Sequence, residues 1–250
     1  MNPLHELLAD VVRRSPGSPL ITYYDDGTGE RVELSGATTE NWVAKTANLL
    51  QEEFGVGPGS PVAVALPPHW QTVVLWLAVW RVGGCLTGLP SLPAGQEQAD
   101  LVVVAEAHLD AVAESTPCLA LSLAPMGRGL SSLVPGVVDY AAEVAGFGDR
   151  CPPNDSAGLT ALTGPGQRSP ASDSLSYDQV ADTLRERAES LLLSSQDRVL
   201  IAVPAGTTAE PVELLTPLAA GASLVLLLRA AEGSDREQRL TAEERVTRRL

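Results

Sequence analysis

An α/β fold, layered α-β-α with a mostly parallel sheet, is predicted by three features of this 250-residue sequence. Short aliphatic runs recur along the chain, and stretches with helical spacing separate most of them. The runs show little apolar–polar alternation, as expected of strands covered on both faces. An N-terminal β-hairpin is predicted in addition. With 44% hydrophobic residues the chain can build one large domain or two small ones around a proper core. It reads as a single α/β domain over residues 1–250, with a candidate subdomain break near 146–157.

Leu4, Leu7, Leu8, Val11 and Val12 lie at helical spacing and predict a helix over 3–14, closed by Pro16 and Pro19. Leu20–Tyr24 and Arg31–Leu34 flank Asp25-Asp26-Gly27-Thr28-Gly29, residues that tolerate the positive φ of a hairpin turn. Thr38 or Thr39 is the expected N-cap of the next helix, striped by Trp42, Val43, Ala47, Leu50 and Phe54 and stopped by Gly55. A β-α-β unit follows: a strand at Val62–Leu66, a buried helix over 70–82, and a strand at Cys85–Leu89 after Gly83-Gly84. Further strands are expected at Leu101–Ala105, Leu119–Leu123, Leu159–Leu162, Val199–Val203 and Ser223–Leu228. Helices are expected around 107–114, 137–145, 176–193, 210–220 and 235–248, and loops at Pro90–Gln98 and Gly146–Ser156.

Seventeen basic residues against thirty-one acidic ones give a net charge of −14. Such a surface repels phosphate backbones and anionic lipid, so neither nucleic acid nor a membrane is the expected partner. Sixteen of the basic residues are arginines, so any chemistry needing an ammonium must use Lys45. This usage, with 22 glycines and 19 prolines, points to a high-GC bacterial gene. Cys85, Cys118 and Cys151 are too few for a disulfide framework and read as buried, reduced thiols. The apolar run Val73 to Trp80 is too short to span a bilayer, and Met1-Asn2-Pro3 opens an amphipathic segment rather than a signal peptide. A cytoplasmic protein is expected. His5, His69 and His108 lie far apart and predict no metal site; solvated or capping roles suit them better, and His69 ends a strand-to-helix turn. Gly55-Val56-Gly57-Pro58-Gly59 follows a helix and precedes a strand, the reverse of a dinucleotide fingerprint.

Three segments carry a family resemblance. The run from Ile21-Thr22-Tyr23 through the Trp42–Phe54 helix to Val56-Gly57-Pro58-Gly59-Ser60-Pro61-Val62-Ala63-Val64-Ala65-Leu66-Pro67 is the first. Val73–Cys85 is the second; Asp197–Leu200 with Leu215–Leu226 is the third. Together they resemble the N-terminal subdomains of the adenylate-forming (AMP-binding, acyl-CoA synthetase-like) superfamily, and about the first half of such an enzyme.

That resemblance implies a Thr/Ser/Gly-rich phosphate loop ending in Pro-Lys-Gly, between the 159–162 strand and the helix from Tyr177. Leu162-Thr163-Gly164-Pro165-Gly166-Gln167-Arg168-Ser169-Pro170 stands there. Thr163, Gly164, Gly166 and Arg168 are the candidate phosphate ligands, but no lysine is present and Pro165 removes an amide donor. Ala205-Gly206-Thr207-Thr208-Ala209-Glu210-Pro211 mimics the loop's core but lies downstream of its expected place. Thr207 or Thr208 is expected there as a helix N-cap. The resemblance also implies later motifs for adenine, ribose, magnesium and a catalytic lysine, which would fall beyond Leu250. The expectation is therefore a non-catalytic homologue with a degenerate phosphate loop and no catalytic residues, acting as a binding or regulatory protein through a homo-oligomer or a protein partner. The alternative is an ATP-, AMP- or acyl-adenylate-binding protein, or an enzyme with weak or partner-dependent ligase activity.

Overall fold

The computed structural model describes residues 1–87, 98–164, 174–229 and 234–250. The predicted strand end at 88–89 and nearly all of the predicted loop at Pro90–Gln98 lie outside the described residues. The chain forms two compact units. The first comprises 1–5, 41–66 and 74–180, and the second 6–40, 67–73 and 181–250.

The first unit is built on a seven-stranded sheet of order β7-β6-β5-β3-β4-β8-β9. Its strands are β3 (Pro61–Ala65), β4 (Cys85–Thr87), β5 (Leu101–Ala105), β6 (Cys118–Leu121), β7 (Val137–Asp139), β8 (Thr160–Thr163) and β9 (Ser174–Ser176). All pairings are parallel except β8 with β9. β5 and β6 are buried at every residue, as their unbroken aliphatic sequence predicts. Ala63, Val102, Val104, Cys118 and Ala120 form one apolar cluster on this sheet.

Helix α3 (Trp70–Arg81) joins β3 to β4, and its residues from Val73 to Val79 are almost without solvent contact. Gly83 ends it at φ +81°, a conformation that branched residues avoid. A Cβ on Gly84 would stand 2.9 Å from Val79 Cγ1 and 3.2 Å from the Val79 carbonyl.

The second unit holds a five-stranded sheet of order β12-β10-β11-β1-β2. Its strands are β1 (Pro19–Asp25), β2 (Glu30–Ser35), β10 (Arg198–Pro204), β11 (Ser223–Arg229) and β12 (Arg248–Arg249). β1 and β2 form the predicted antiparallel hairpin. Asp25 Oδ1 accepts the Gly27 amide at 2.7 Å, and Gly29 closes the turn at φ +76°. β1 also pairs in parallel with β11, joining sequence segments from the two ends of the chain. Tyr24, Leu200, Val225, Leu227 and Leu240 pack together on this sheet.

The remaining helices are α1 (Pro3–Arg14), α2 (Gly36–Phe54), α4 (Tyr140–Glu143), α5 (Tyr177–Ser190), α6 (Pro211–Ala219) and α7 (Ser234–Glu243). α2 starts before the expected Thr38 or Thr39 cap, because Ser35 Oγ accepts the Thr38 amide at 3.1 Å. Gly55 ends it at φ +66°, with the Gly55 and Val56 amides bonded to the Gln51 and Leu50 carbonyls at 3.0 Å each. Two expected helices shrink. Residues 106–111 form a 3-10 turn, and 137–145 resolve into β7, the single turn of α4 and a short 3-10 turn. Asp139 explains the second case, since its carboxylate caps α4 through the Ala141 amide at 3.0 Å. The expected 235–248 helix stops at Glu243, and the chain then extends into β12.

Candidate functional site

The strands around β3 run in one direction, so Ala65, Thr87, Ala105 and Thr163 end at the same edge of the first sheet. From β3 the chain passes through α3 to β4 on one side, while β5 pairs with β3 on the other. Open α/β sheets hold ligands at this carboxyl edge, near such a reversal of strand order. β8 ends there at Thr163, which pairs with Thr87 of β4 and with Ser174 of β9. The predicted phosphate segment thus begins, in sequence, at the β8 end, where Thr163 pairs with Ser174 of β9.

Of the four candidate ligands, Thr163 and Gly164 stand at this end, both half-buried. Gly166 and Arg168 lie outside the described residues. The Thr163 side chain hydrogen-bonds the Cys85 thiol of β4; burial pushes that thiol up to about 11, with the Thr163 bond opposing the shift. Tyr177, where α5 begins, donates its buried hydroxyl to the Gly84 carbonyl at 2.6 Å. The β8–β9 pair is thus fixed by side chains directed into the first unit.

Lys45, on α2, donates to the carbonyls of Ala145 at 3.1 Å and Phe147 at 2.5 Å. The neighbouring Asn48 amide donates to Gly148 and Arg150 at 2.8 and 3.0 Å. Residues 145–150 are thereby fastened to α2 within the first unit, and the sequence held no local signal for these contacts. Lys45→Met should lower the unfolding free energy by about 1–3 kcal/mol, because two bonds from a charged donor disappear. Urea titration measures the loss.

The look-alike segment 205–211 does not form the expected cap. The Thr207 amide bonds the Pro204 carbonyl at 3.2 Å in a turn containing Gly206 at φ +83°. α6 starts at Pro211, and Glu210 precedes it without a side-chain bond to the helix. Proline supplies the opening φ and leaves one fewer amide to satisfy, so neither threonine is needed as a cap. Burial, with Glu213 nearby, pushes the Glu210 carboxyl up; a carboxylate there opposes an approaching phosphate.

Among the histidines, His108 is exposed and His5 half-buried, whereas His69 is buried and caps α3. Burial thus excludes the solvated reading for His69, which occupies the strand-to-helix turn noted in the sequence. The three cysteines are buried and unbridged. Among the described residues no three His, Cys, Asp or Glu side chains converge to hold a metal ion. No helix among them is long and apolar enough to cross a membrane.

Comparison with known proteins identifies the class. The sequence model of the AMP-binding enzyme family matches residues 8–141. A Mycobacterium tuberculosis protein named "TIGR03089 family protein" is 39% identical over 245 residues, covering 97% of this chain and 95% of that protein. The chain belongs to the AMP-binding enzyme family. In fold it is similar to a Brucella canis acyl-CoA synthetase (TM-score 0.79, 19% identity) and to apo MatB from Rhodopseudomonas palustris (TM-score 0.70, 19% identity). Both comparisons cover 100% of this chain but only 47% and 49% of those chains, so it spans about half the length of each. These likenesses confirm the α/β class with mostly parallel sheets.

Proposed function

We propose that this chain is a non-catalytic AMP-binding family member, acting in the cytoplasm as a binding or regulatory protein through a second copy of itself or a protein partner. One observation carries the reading. The sequence between Thr163 and Ser174 contains Pro165 and no lysine, while the chain's only ammonium side chain is held by the Ala145 and Phe147 carbonyls. Adenylation builds negative charge around the α-phosphate, and cationic stabilisers commonly account for several kcal/mol of such a barrier. A guanidinium at Arg168 supplies a flat donor fork in place of a compact, mobile ammonium.

A second reading, nucleotide binding without chemistry, draws support from Thr163 and Gly164 at the expected edge. Calorimetric titration of the full chain with ATP, AMP and a non-hydrolysable acyl-adenylate analogue separates the two. The first reading expects no heat of binding at millimolar nucleotide. Micromolar affinity lost in Arg168→Ala would establish the second, and activity appearing only with a co-purifying protein would establish a split enzyme.

A further inference from the structure

The hydrogen bonds around His69 assign its protonation state. His69 is buried and directly precedes α3. Its Nδ1 accepts the Gln71 amide at 3.2 Å, and its backbone carbonyl accepts the Thr72 and Val73 amides at 3.1 and 3.3 Å. His69 is therefore the N-cap, an uncommon residue in that place. Because Nδ1 accepts, it carries no proton, and the proton of the neutral ring is on Nε2. Nε2 faces Glu30 Oε2 of β2 at 3.7 Å, between side chains that are 4% and 7% exposed. Tyr23 of β1 packs edge-on against the ring at 4.5 Å between centroids.

We propose that His69 is a proton-operated cap: the neutral imidazole fastens the first turn of α3, and protonation at Nδ1 releases it. The second proton can enter only at Nδ1. There it would point at the Gln71 N–H, turning the acceptor of the cap into a donor facing a donor. An imidazolium would also place positive charge at the positive end of the helix dipole.

Among the described residues, the titratable groups facing the ring are Glu30, Asp25 and Tyr23. The two carboxylates favour the imidazolium, but Glu30 already faces Nε2–H in the neutral form and cannot repair the lost bond at Nδ1. Burial opposes the charge and prevails, holding the imidazole below its ordinary value. The released turn, with its ring in water, takes up the proton near the ordinary value of about 6.5. The closed cap is thus fully favoured above about pH 6.5 and loses its advantage as pH falls from there towards the depressed value of the closed state.

Residue-resolved hydrogen exchange on the full chain from pH 7.5 to 5.0, corrected for intrinsic exchange rates, tests this. Protection of the Gln71 amide should fall by up to about tenfold per pH unit below 6.5, one proton being linked to opening. The Val102 amide, bonded to the Pro117 carbonyl at 3.0 Å, should keep its protection. In His69→Asn, a cap that does not titrate, the Gln71 decline should vanish. Unchanged Gln71 protection in the wild type, or the same decline in His69→Asn, overturns the proposal. Should His69→Asn fail to fold, imidazole ¹⁵N shifts of the wild type decide. A neutral Nε2–H ring at pH 7.5 that gains a proton only below 6.5 supports it; an Nδ1–H tautomer, or a charged ring at pH 7.5, overturns it.

Discussion

Glu244→Ala should destabilise the chain by about 2–3 kcal/mol in urea titration, for reasons that lie in the second unit. Glu244 follows the end of α7, where the helix dipole disfavours a carboxylate, yet its side chain is only 10% exposed. Three donors hold it: the Tyr24 hydroxyl, the Arg198 guanidinium, and Arg31 at 3.1 Å. Arg31 also donates to the Tyr24 hydroxyl at 2.8 Å, and Arg198 to Thr22 Oγ1 at 2.9 Å. The group stands beside the apolar cluster of Tyr24, Leu200 and Leu240 and ties β1, β2 and β10 to the end of α7. Removing the carboxylate leaves the Arg198 guanidinium, 16% exposed, without its carboxylate partner, whereas Arg31 is exposed and keeps Glu33 at 2.7 Å. The loss at Arg198 is worse than never having built the pair.

The same group fixes a pH dependence. Burial alone would push the Glu244 carboxyl up, but the bonds from Tyr24, Arg198 and Arg31 outweigh it and bring the group down to about 2. A depressed carboxylate stabilises the fold above its unfolded value near 4.3, and that contribution disappears as pH falls from there towards 2. Glu244→Gln should therefore flatten the acid limb of the stability profile between pH 4.5 and 2.

Gly84→Val should cost about 2–4 kcal/mol. Its Cβ would press on Val79 Cγ1 at 2.9 Å and, at 3.4 Å, on the Ser60 carbonyl that accepts the Cys85 amide. Val79 belongs to a fully buried helix and Ser60 to the chain entering β3, so neither can yield without disturbing the first sheet. Gly84→Ala should give a smaller loss of the same sign, and both appear in thermal or urea melts.

What the sequence revealed follows the range of the interactions. Gly55 as a helix stop, the Asp25–Gly29 turn and the all-round apolar α3 are specified by a few neighbouring residues, and each forms as read. The β1–β11 pairing and the Tyr24–Glu244–Arg198 group join residues about two hundred positions apart, and neither Tyr24 nor Glu244 carries a local pattern that names the other. Short stretches of helical spacing misled in the opposite direction. Residues 137–145 have helical spacing, but Asp139 starts its helix late and leaves room for one turn before the chain breaks away. At the candidate site, the family resemblance singled out Thr163 and Gly164, and the parallel pairing of β4 with β8 brings the end of β8 to the carboxyl edge. The hold on Lys45 by two carbonyls a hundred residues away was not legible, since any exposed position on α2 reads alike.

The central claim is chemical, and ATP–pyrophosphate exchange tests it most directly. The full chain, supplied with magnesium, ATP and a panel of aliphatic, aromatic and amino acids, should exchange labelled pyrophosphate no faster than a buffer control. Acid-dependent exchange above that control, abolished by Arg168→Ala, would show that the segment after Thr163 supports adenylation without a lysine and would contradict the account.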